Sequence, residues 1–134
     1  MIINKENFIL VNPTDIYFHD DILNSVFFDN RKKEIILKCQ KSSNQKDEYV
    51  VCFKNVIGFQ MSSCDFWGAS KCIFDFECVF DEDLIIIPYL MKEWTNIPQI
   101  SPMPDFDNFI EILFTLTSGD KLRIACEYFV IDVF

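Results

Sequence analysis

The sequence has one histidine, three glycines and 12 basic residues against 21 acidic ones. With so few glycines, no glycine-rich phosphate-binding loop can form, and the motifs GxSxG, HExxH, GxxxxGK, GxGxxG and CxxC are all absent. Hydrolases with a nucleophile elbow, zinc proteases, phosphate-loop enzymes and dinucleotide-binding enzymes therefore lack support. We expect a protein that is not an enzyme, with no cofactor and no bound metal.

The net charge of −9 disfavours two classes of partner. Nucleic acids need a basic face that neutralises phosphates, and anionic membrane surfaces attract basic segments. The charge favours a basic protein partner. A second interpretation is that the negative charge keeps a chain with 15 phenylalanines soluble.

No apolar run approaches the roughly 20 residues of a spanning helix, and the N-terminal sequence MIINKENF lacks the pattern of a signal peptide. Of the six cysteines, only Cys64 lies in loop-like sequence; the others fall in strand-like alternation, where a thiol packs as a small hydrophobe. We expect reduced cysteines and a cytoplasmic location.

The C-terminal segment predicts a β-hairpin, since apolar residues occupy every second position in FIEILFTLTSGDKLRIACEYFVIDVF. If Leu116 faces Leu122, the opposing pairs create one apolar face. That register requires a three-residue loop, Ser118-Gly119-Asp120, because a two-residue turn would mix the two faces.

Six further segments have strand-like patterns: Ile2 to Val11, Ile22 to Phe28, Glu34 to Gln40, Tyr49 to Phe53, Val56 to Met61 and Lys71 to Phe80. In the last of these, alternation predicts a core face made of Cys72, Phe74, Phe76, Cys78 and Phe80.

Residues 84–94 fit a strand or turn followed by one or two helical turns, and the proline-rich residues 96–108 predict a loop. The whole chain, 1–134, is thus predicted to be a single mainly β domain. It would form an antiparallel sandwich or a partly open barrel of about seven to nine strands, with at most one short helix.

Candidate binding residues are polar or aromatic groups in irregular sequence. His19, beside two carboxylates, could stack or cap a turn, contact a partner or act as a base, although a lone histidine cannot fill a three-histidine zinc site. Phe66 and Trp67 could form either an aromatic anchor for a partner or a plug over the core. The complete predicted set is His19, Asp20, Asp21, Phe66, Trp67, Asp81, Glu82, Asp83, Asp105 and Asp107.

The run FHDDIL at residues 18–23 is followed by an apolar strand, a hairpin, the triplet FWG at residues 66–68 and the terminal hairpin. In this pattern the chain resembles a group of small bacterial β-rich proteins of unassigned function that open with an FHD element. Some members of that group are proposed toxin-immunity proteins. The resemblance implies a non-enzymatic cytosolic protein.

Three functions follow as hypotheses. The leading one is a cytosolic interaction protein, of immunity type, whose acidic and aromatic surface binds a basic protein such as a nuclease toxin. The second is a small-molecule binder in which Phe74, Phe76 and Phe80 line the mouth of a barrel. The third is an enzyme that uses His19 with a carboxylate.

Overall fold

The structure, a computed structural model, describes residues 2–8, 18–44, 46–62, 72–96 and 103–133. Within these residues the chain forms nine strands, one α-helix and two 3₁₀ turns, at Asp81–Asp83 and Phe106–Asn108. The helix is α1 (Ile86–Asn96). The strands are β1 (Ile2–Asn4), β2 (Ile22–Asp29), β3 (Glu34–Gln40), β4 (Glu48–Lys54), β5 (Gly58–Met61), β6 (Ile73–Val79), β7 (Ile110–Leu116), β8 (Lys121–Cys126) and β9 (Tyr128–Val133).

The strands form two antiparallel sheets, which confirms the predicted mainly β architecture. The first sheet has the order β1-β9-β4-β3-β2, and the second has the order β5-β8-β7-β6. Glu127 alone separates β8 from β9, so the chain passes there from one sheet to the other. Strand β2 reaches both edges of the second sheet, because Ile22 bridges to Cys72 and the Phe28 ring lies 4.9 Å from that of Phe59. Such contacts are typical of sheets whose strands cross each other.

The main core lies between the two sheets and is rich in aromatic side chains. Phe53, Phe114 and Phe129 are buried, with ring centroids 5.2 Å apart for Phe53 and Phe129 and 6.1 Å apart for Phe53 and Phe114. Ile112 and Ile124 are opposite each other and fully buried. The apolar face predicted for the terminal hairpin is therefore confirmed.

The register of that hairpin differs from the prediction by two residues. Phe114, not Leu116, is opposite Leu122. The amide of Leu116 donates to the carbonyl of Asp120 at 2.8 Å, which makes Thr117-Ser118-Gly119 the loop. Gly119 has a φ of 90°, the left-handed conformation that the last position of a three-residue loop requires. A slip of two residues preserves both faces, so the alternation alone could not detect it.

The predicted core face of β6 is wrong at its ends. A bulge between Ile73 and Asp75 shifts the pairing with β7, so Ile73 is buried in the same core against which Phe76 and Cys78 pack. Phe80 lies beyond the strand, is exposed, and packs edge-on against Phe8 with a centroid distance of 4.9 Å. Alternation fails here because the inserted residue reverses the faces.

The first strand is shorter than predicted. It ends at Asn4, and residues 5–8 form a turn. The side chain of Asn4 accepts hydrogen bonds from the amides of Glu6 and Asn7, and the side chain of Asn7 accepts one from the amide of Asn4. Asparagine side chains that satisfy nearby amides stabilise a turn against a strand. Residues 9–11 of the predicted strand lie outside the described residues.

Helix α1 covers the second sheet on the face opposite the main core. Ile86 and Ile87 pack there with Phe106, Phe109 and Ala125 in a second apolar cluster. The helix is longer than the one or two turns predicted and starts before Pro88, which occupies the first turn, where a proline is tolerated. In the described part of the chain, no helix has the length and apolar character needed to cross a membrane.

Gly58 permits the close approach of α1 to β5. A Cβ atom at this position would lie 2.7 Å from Ile86 Cγ2 and 3.3 Å from Leu90 Cδ1. Because Ile86 is β-branched and fixed in the helix, it cannot easily rotate away. The absence of a side chain at Gly58 therefore sets the distance between helix and strand.

We expect Gly58→Ala to lower the free energy of unfolding by about 1–3 kcal/mol, because the added methyl overpacks the contact with Ile86. Urea unfolding followed by circular dichroism measures this loss. Gln60→Ala, two residues along the same strand and exposed, is the matched control and should be nearly neutral. Equal stability of the Gly58→Ala variant and the natural protein would contradict the described helix position.

The five described cysteines are free thiols, and Cys39 and Cys126 are buried. Burial is the main cause that raises the pKa of Cys39 to about 12 and that of Cys78 to about 12. The thiols of Cys39 and Cys78 are therefore protonated near neutral pH, and both pack in the main core, as the sequence predicts. Cys64 lies outside the described residues.

Alkaline pH should destabilise the protein through these thiols. The pKa of Cys39 is about 12 in the folded chain and its ordinary value is 9.0, so the unfolded chain loses the proton first. The contribution of Cys39 to the free energy of unfolding is complete below pH 9. It declines by about 1.4 kcal/mol per pH unit as the pH rises towards 12. Urea unfolding at several pH values should show a shallower decline for Cys39→Ala than for the natural protein. Identical slopes would refute the assignment.

Candidate functional site

Helix α1 and the edge strand β5 frame a continuous exposed apolar surface. Phe59 on β5 and Phe28 on β2 face the inside of the sandwich and their rings are in contact, yet they are 46% and 37% exposed because they lie on the edge strands of the two sheets. On α1 and just before it, Tyr89 and Ile85 are 60% and 52% exposed. We call this region the α1–β5 surface, and it comprises Phe28, Gly58, Phe59, Gln60, Ile85, Tyr89, Leu90, Trp94 and Phe106.

Two grooves cross the α1–β5 surface and meet at Gly58, Phe59 and Leu90. The larger groove, of about 530 Å³, runs past Trp94 and ends near Lys33. The smaller groove has a volume of about 350 Å³ and is lined by Phe59, Gln60, Ile85, Ile86, Tyr89 and Leu90 among others. Both are open depressions that could receive side chains of a partner.

Acidic residues border this surface at two places. The first 3₁₀ turn, Asp81–Asp83, is exposed and comes directly before Leu84 and Ile85. In the second turn, exposed Asp105 and Asp107 flank the groove residue Phe106, and the carboxylate of Asp105 accepts a hydrogen bond from the Asp107 amide at 3.2 Å. The five acids predicted from these two segments thus stand beside the apolar grooves.

Glu111 fixes α1 on the sheet. Its side chain is fully buried, and Oε1 accepts hydrogen bonds from the amides of Ile86 at 2.9 Å and Ile87 at 3.0 Å. Oε2 accepts one from the Ile85 amide at 2.9 Å and another from Arg123 Nη1. The first amides of a helix have no partner within the helix, and the positive end of its dipole favours a carboxylate. Glu111 therefore holds the helix start against β7.

Arg123 completes this arrangement from the neighbouring strand β8. Its Nη1 atom binds the Glu111 carboxylate and also donates to the carbonyl of Asp83 at 3.2 Å. Buried charges are stable only when they are paired and hydrogen bonded, and both conditions are met here. The pair also ties the acidic turn, Asp81–Asp83, to the start of α1.

Glu111 is a residue whose role the alternation did not predict. It lies on the face opposite to that of Ile110 and Ile112, and only the face of the isoleucines was predicted to be apolar. A signal was present, since Leu113 on the same face and Ala125 opposite Glu111 are apolar. A lone acid within an apolar face, with an arginine on the next strand, indicates a buried ion pair.

Asp21 directly follows the FHD element and is 1% exposed, and Phe18 within the element is also buried. Its carboxylate accepts hydrogen bonds from the Tyr49 hydroxyl at 2.6 Å and the Ser42 amide at 3.0 Å, and it pairs with Lys41 Nζ at 3.2 Å. Burial, followed by the nearby Cys39 and Asp21, raises the pKa of Tyr49, so the hydroxyl remains a donor. Asp21 thus uses its carboxylate to join strands inside the protein.

His19 and Asp20 are the outward members of the same element. His19 Nε2 lies 3.6 Å from Asp20 Oδ1, and both side chains are partly exposed. The backbone beneath them joins the sheets, because the Asp20 amide donates to the Ile73 carbonyl at 2.8 Å and the Ile73 amide donates to the Asp21 carbonyl at 2.9 Å.

The structure therefore separates the predicted binding residues into groups. The FHD element precedes Ile22 at the start of β2, whereas Phe28 of the α1–β5 surface is near its end, roughly 20 Å along the strand. The acids of both 3₁₀ turns belong with the α1–β5 surface. Phe66 and Trp67 lie outside the described residues.

No protein-family model matches the chain, and no curated protein matches it either. Over the described ranges, no three His, Cys, Asp or Glu side chains converge to hold a metal ion. The α1–β5 surface thus combines apolar grooves with an acidic border.

We expect Glu111→Gln to destabilise the protein by about 3 kcal/mol, because it removes the charge that compensates Arg123 and the helix amides. Urea unfolding measures the loss. Glu127→Gln is the matched control: the same change at a half-buried carboxylate whose hydrogen bond, from Asn55 Nδ2 at 2.7 Å, lies at the surface should be nearly neutral. Equal effects of the two substitutions would contradict the anchoring role.

Proposed function

We propose that the protein is a non-catalytic interaction protein that binds a basic protein partner through the α1–β5 surface. The observation that carries the proposal is the exposure of Phe59, Ile85 and Tyr89 around shared grooves. Contiguous exposed apolar side chains mark interaction sites, and buried aromatic residues supply most of the affinity at such interfaces. The Glu111 anchor supports the proposal, since a fixed surface loses little entropy on binding.

The charge of the protein supports a basic partner. The chain carries a net charge of −9, and exposed acids border the grooves at Asp81–Asp83 and at Asp105 and Asp107. Lys33, at the end of the larger groove, is the basic residue among the lining residues of the two grooves. Complementary charge speeds association and disfavours acidic partners, nucleic acids among them.

A toxin neutralised by this protein would be a partner of that kind. The resemblance of the FHD pattern to proposed immunity proteins supports this form of the proposal, in which the acidic surface covers a basic active site such as that of a nuclease. The proposal places this action in the cytoplasm. The free thiols among the described cysteines support that location, because disulfides are rare there.

A second candidate function is small-molecule binding in the larger groove. Its volume of about 530 Å³ and its lining by Phe28, Trp94 and Phe106 suit an apolar ligand, and Lys33 could bind a negative group on it. This groove differs from the place that the sequence suggested: Phe76 packs in the core and Phe80 on the surface. The side chain of Phe74 is outside the description.

We expect Tyr89→Glu to reduce partner binding at least tenfold, because it places a charge at the centre of the apolar surface. Affinity capture from extracts of the cells that make the protein, followed by titration of the purified partner, measures this effect. Ile2→Glu is the control, since Ile2 is 58% exposed but lies on the edge strand β1 of the other sheet.

The variants also separate the two candidate functions. A basic protein retained by the natural chain and by Ile2→Glu, but lost with Tyr89→Glu, supports the interaction surface. A small ligand whose binding depends on Lys33 and not on Tyr89 supports the second candidate. Recovery of no protein partner, or binding indifferent to Tyr89→Glu, would reject the leading proposal.

A further inference from the structure

We propose that the partner contributes an extended segment that pairs with the outer edge of β5 as an additional antiparallel or parallel strand. This inference rests on the proposed function and specifies its mode of recognition. In strand addition, main-chain hydrogen bonds provide affinity, and alternate side chains in neighbouring pockets provide specificity.

The hydrogen-bond pattern of β5 leaves main-chain groups of Phe59 at the outer edge. The Ser62 amide donates to the Lys121 carbonyl at 2.9 Å, so Ser62 and Lys121 form a hydrogen-bonded pair. Gln60, two residues before Ser62, pairs with Arg123 in the register of β5 with β8. Because hydrogen-bonded and non-bonded pairs alternate, the amide and carbonyl of Phe59 point away from β8. These two groups can therefore form hydrogen bonds with a strand added beside β5.

The sequence of β5 has none of the features that protect exposed strand edges. Proteins block such edges with charged side chains, prolines or bulges. Strand β6, at the opposite edge of the sheet, has a bulge and exposed Asp75 and Glu77. Strand β2 has a bulge between Leu23 and Ser25. In contrast, β5 reads GFQM, with no charged residue and no proline, and its pairing with β8 is irregular only at its start, where the Ile57 amide donates to the Ala125 carbonyl at 3.0 Å.

Both faces of an added strand would meet apolar surface. Side chains on one face would lie beside the ring of Phe59 and that of Phe28, which packs against it at a centroid distance of 4.9 Å. Side chains on the other face would enter the groove of about 350 Å³ between Gln60 and Tyr89. A partner segment that fits this edge therefore has apolar residues on both of its faces, at least near the middle of the added strand.

The charge of the protein favours a partner protein over a second copy of this chain as the occupant of the β5 edge. The acidic turn Asp81–Asp83 ends two residues before Ile85, which lines the groove, so a lysine or arginine at one end of the segment would be attracted there. Two copies would each carry a net charge of −9 and repel one another. The occupant is thus an extended segment of a basic partner protein.

The test uses the whole protein and a library of twelve-residue peptides displayed on phage. The most enriched peptide, made synthetically, is added to the isotope-labelled protein, and amide hydrogen exchange is followed by NMR. We expect an apolar peptide with terminal lysine or arginine that slows exchange of the Phe59 amide at least tenfold. The Gln60 amide already pairs with β8 and is the internal control, so its exchange should change little.

The outcomes distinguish this inference from the proposed function. A peptide whose binding is lost with Tyr89→Glu but which leaves Phe59 exchange unchanged overturns strand addition and retains the interaction surface. Failure to enrich any peptide, or binding indifferent to Tyr89→Glu, overturns both. N-methylation of the peptide residue opposite Phe59 should weaken binding at least tenfold, because it removes a ladder hydrogen bond.

Discussion

The carboxylate of Glu111 is the group on which the candidate site depends. It satisfies the amides of Ile85, Ile86 and Ile87 and the guanidinium of Arg123 inside the protein. Without this carboxylate, the start of α1 would place unsatisfied amides against an apolar sheet. The helix propensity of the sequence alone could not offset the free energy that this burial costs. With the carboxylate, α1 is fixed beside β5, and Gly58 brings the two elements into contact. One buried charge thus shapes a surface that is otherwise apolar.

The second constraint is the way in which the two sheets meet. At the start of β2 the backbone of Asp20 and Asp21 closes the sandwich through hydrogen bonds to Ile73 on β6 of the other sheet, and the carboxylate of Asp21 reaches Tyr49 on β4. At the other end the edge strands β2 and β5 meet through Phe28 and Phe59, and both core-facing rings remain exposed. Exposed core-type side chains at an open edge favour aggregation unless they serve binding. The net negative charge opposes self-association and is compatible with a basic partner.

The sequence predicted the strands well where alternation is regular, as in Glu34–Gln40 and Ile110–Leu116. It could not predict the two-residue slip of the hairpin or the bulge in β6, because these depend on loop geometry and on the neighbouring strand. For the candidate site, it identified the acids around α1 from their irregular surroundings. It missed Phe59 and Tyr89, because alternation tells which residues share a face and not whether another element covers that face.

Amide hydrogen exchange at Ile86 and Ile87 in the partner-free protein tests most directly whether Glu111 holds α1. These amides lie at the helix start, where exchange is ordinarily fast because no intrahelical partner exists. The account predicts that both exchange nearly as slowly as the amides in the middle of β7. Exchange at the rate of an unprotected helix end would show that the carboxylate does not bind the helix, and would contradict the account.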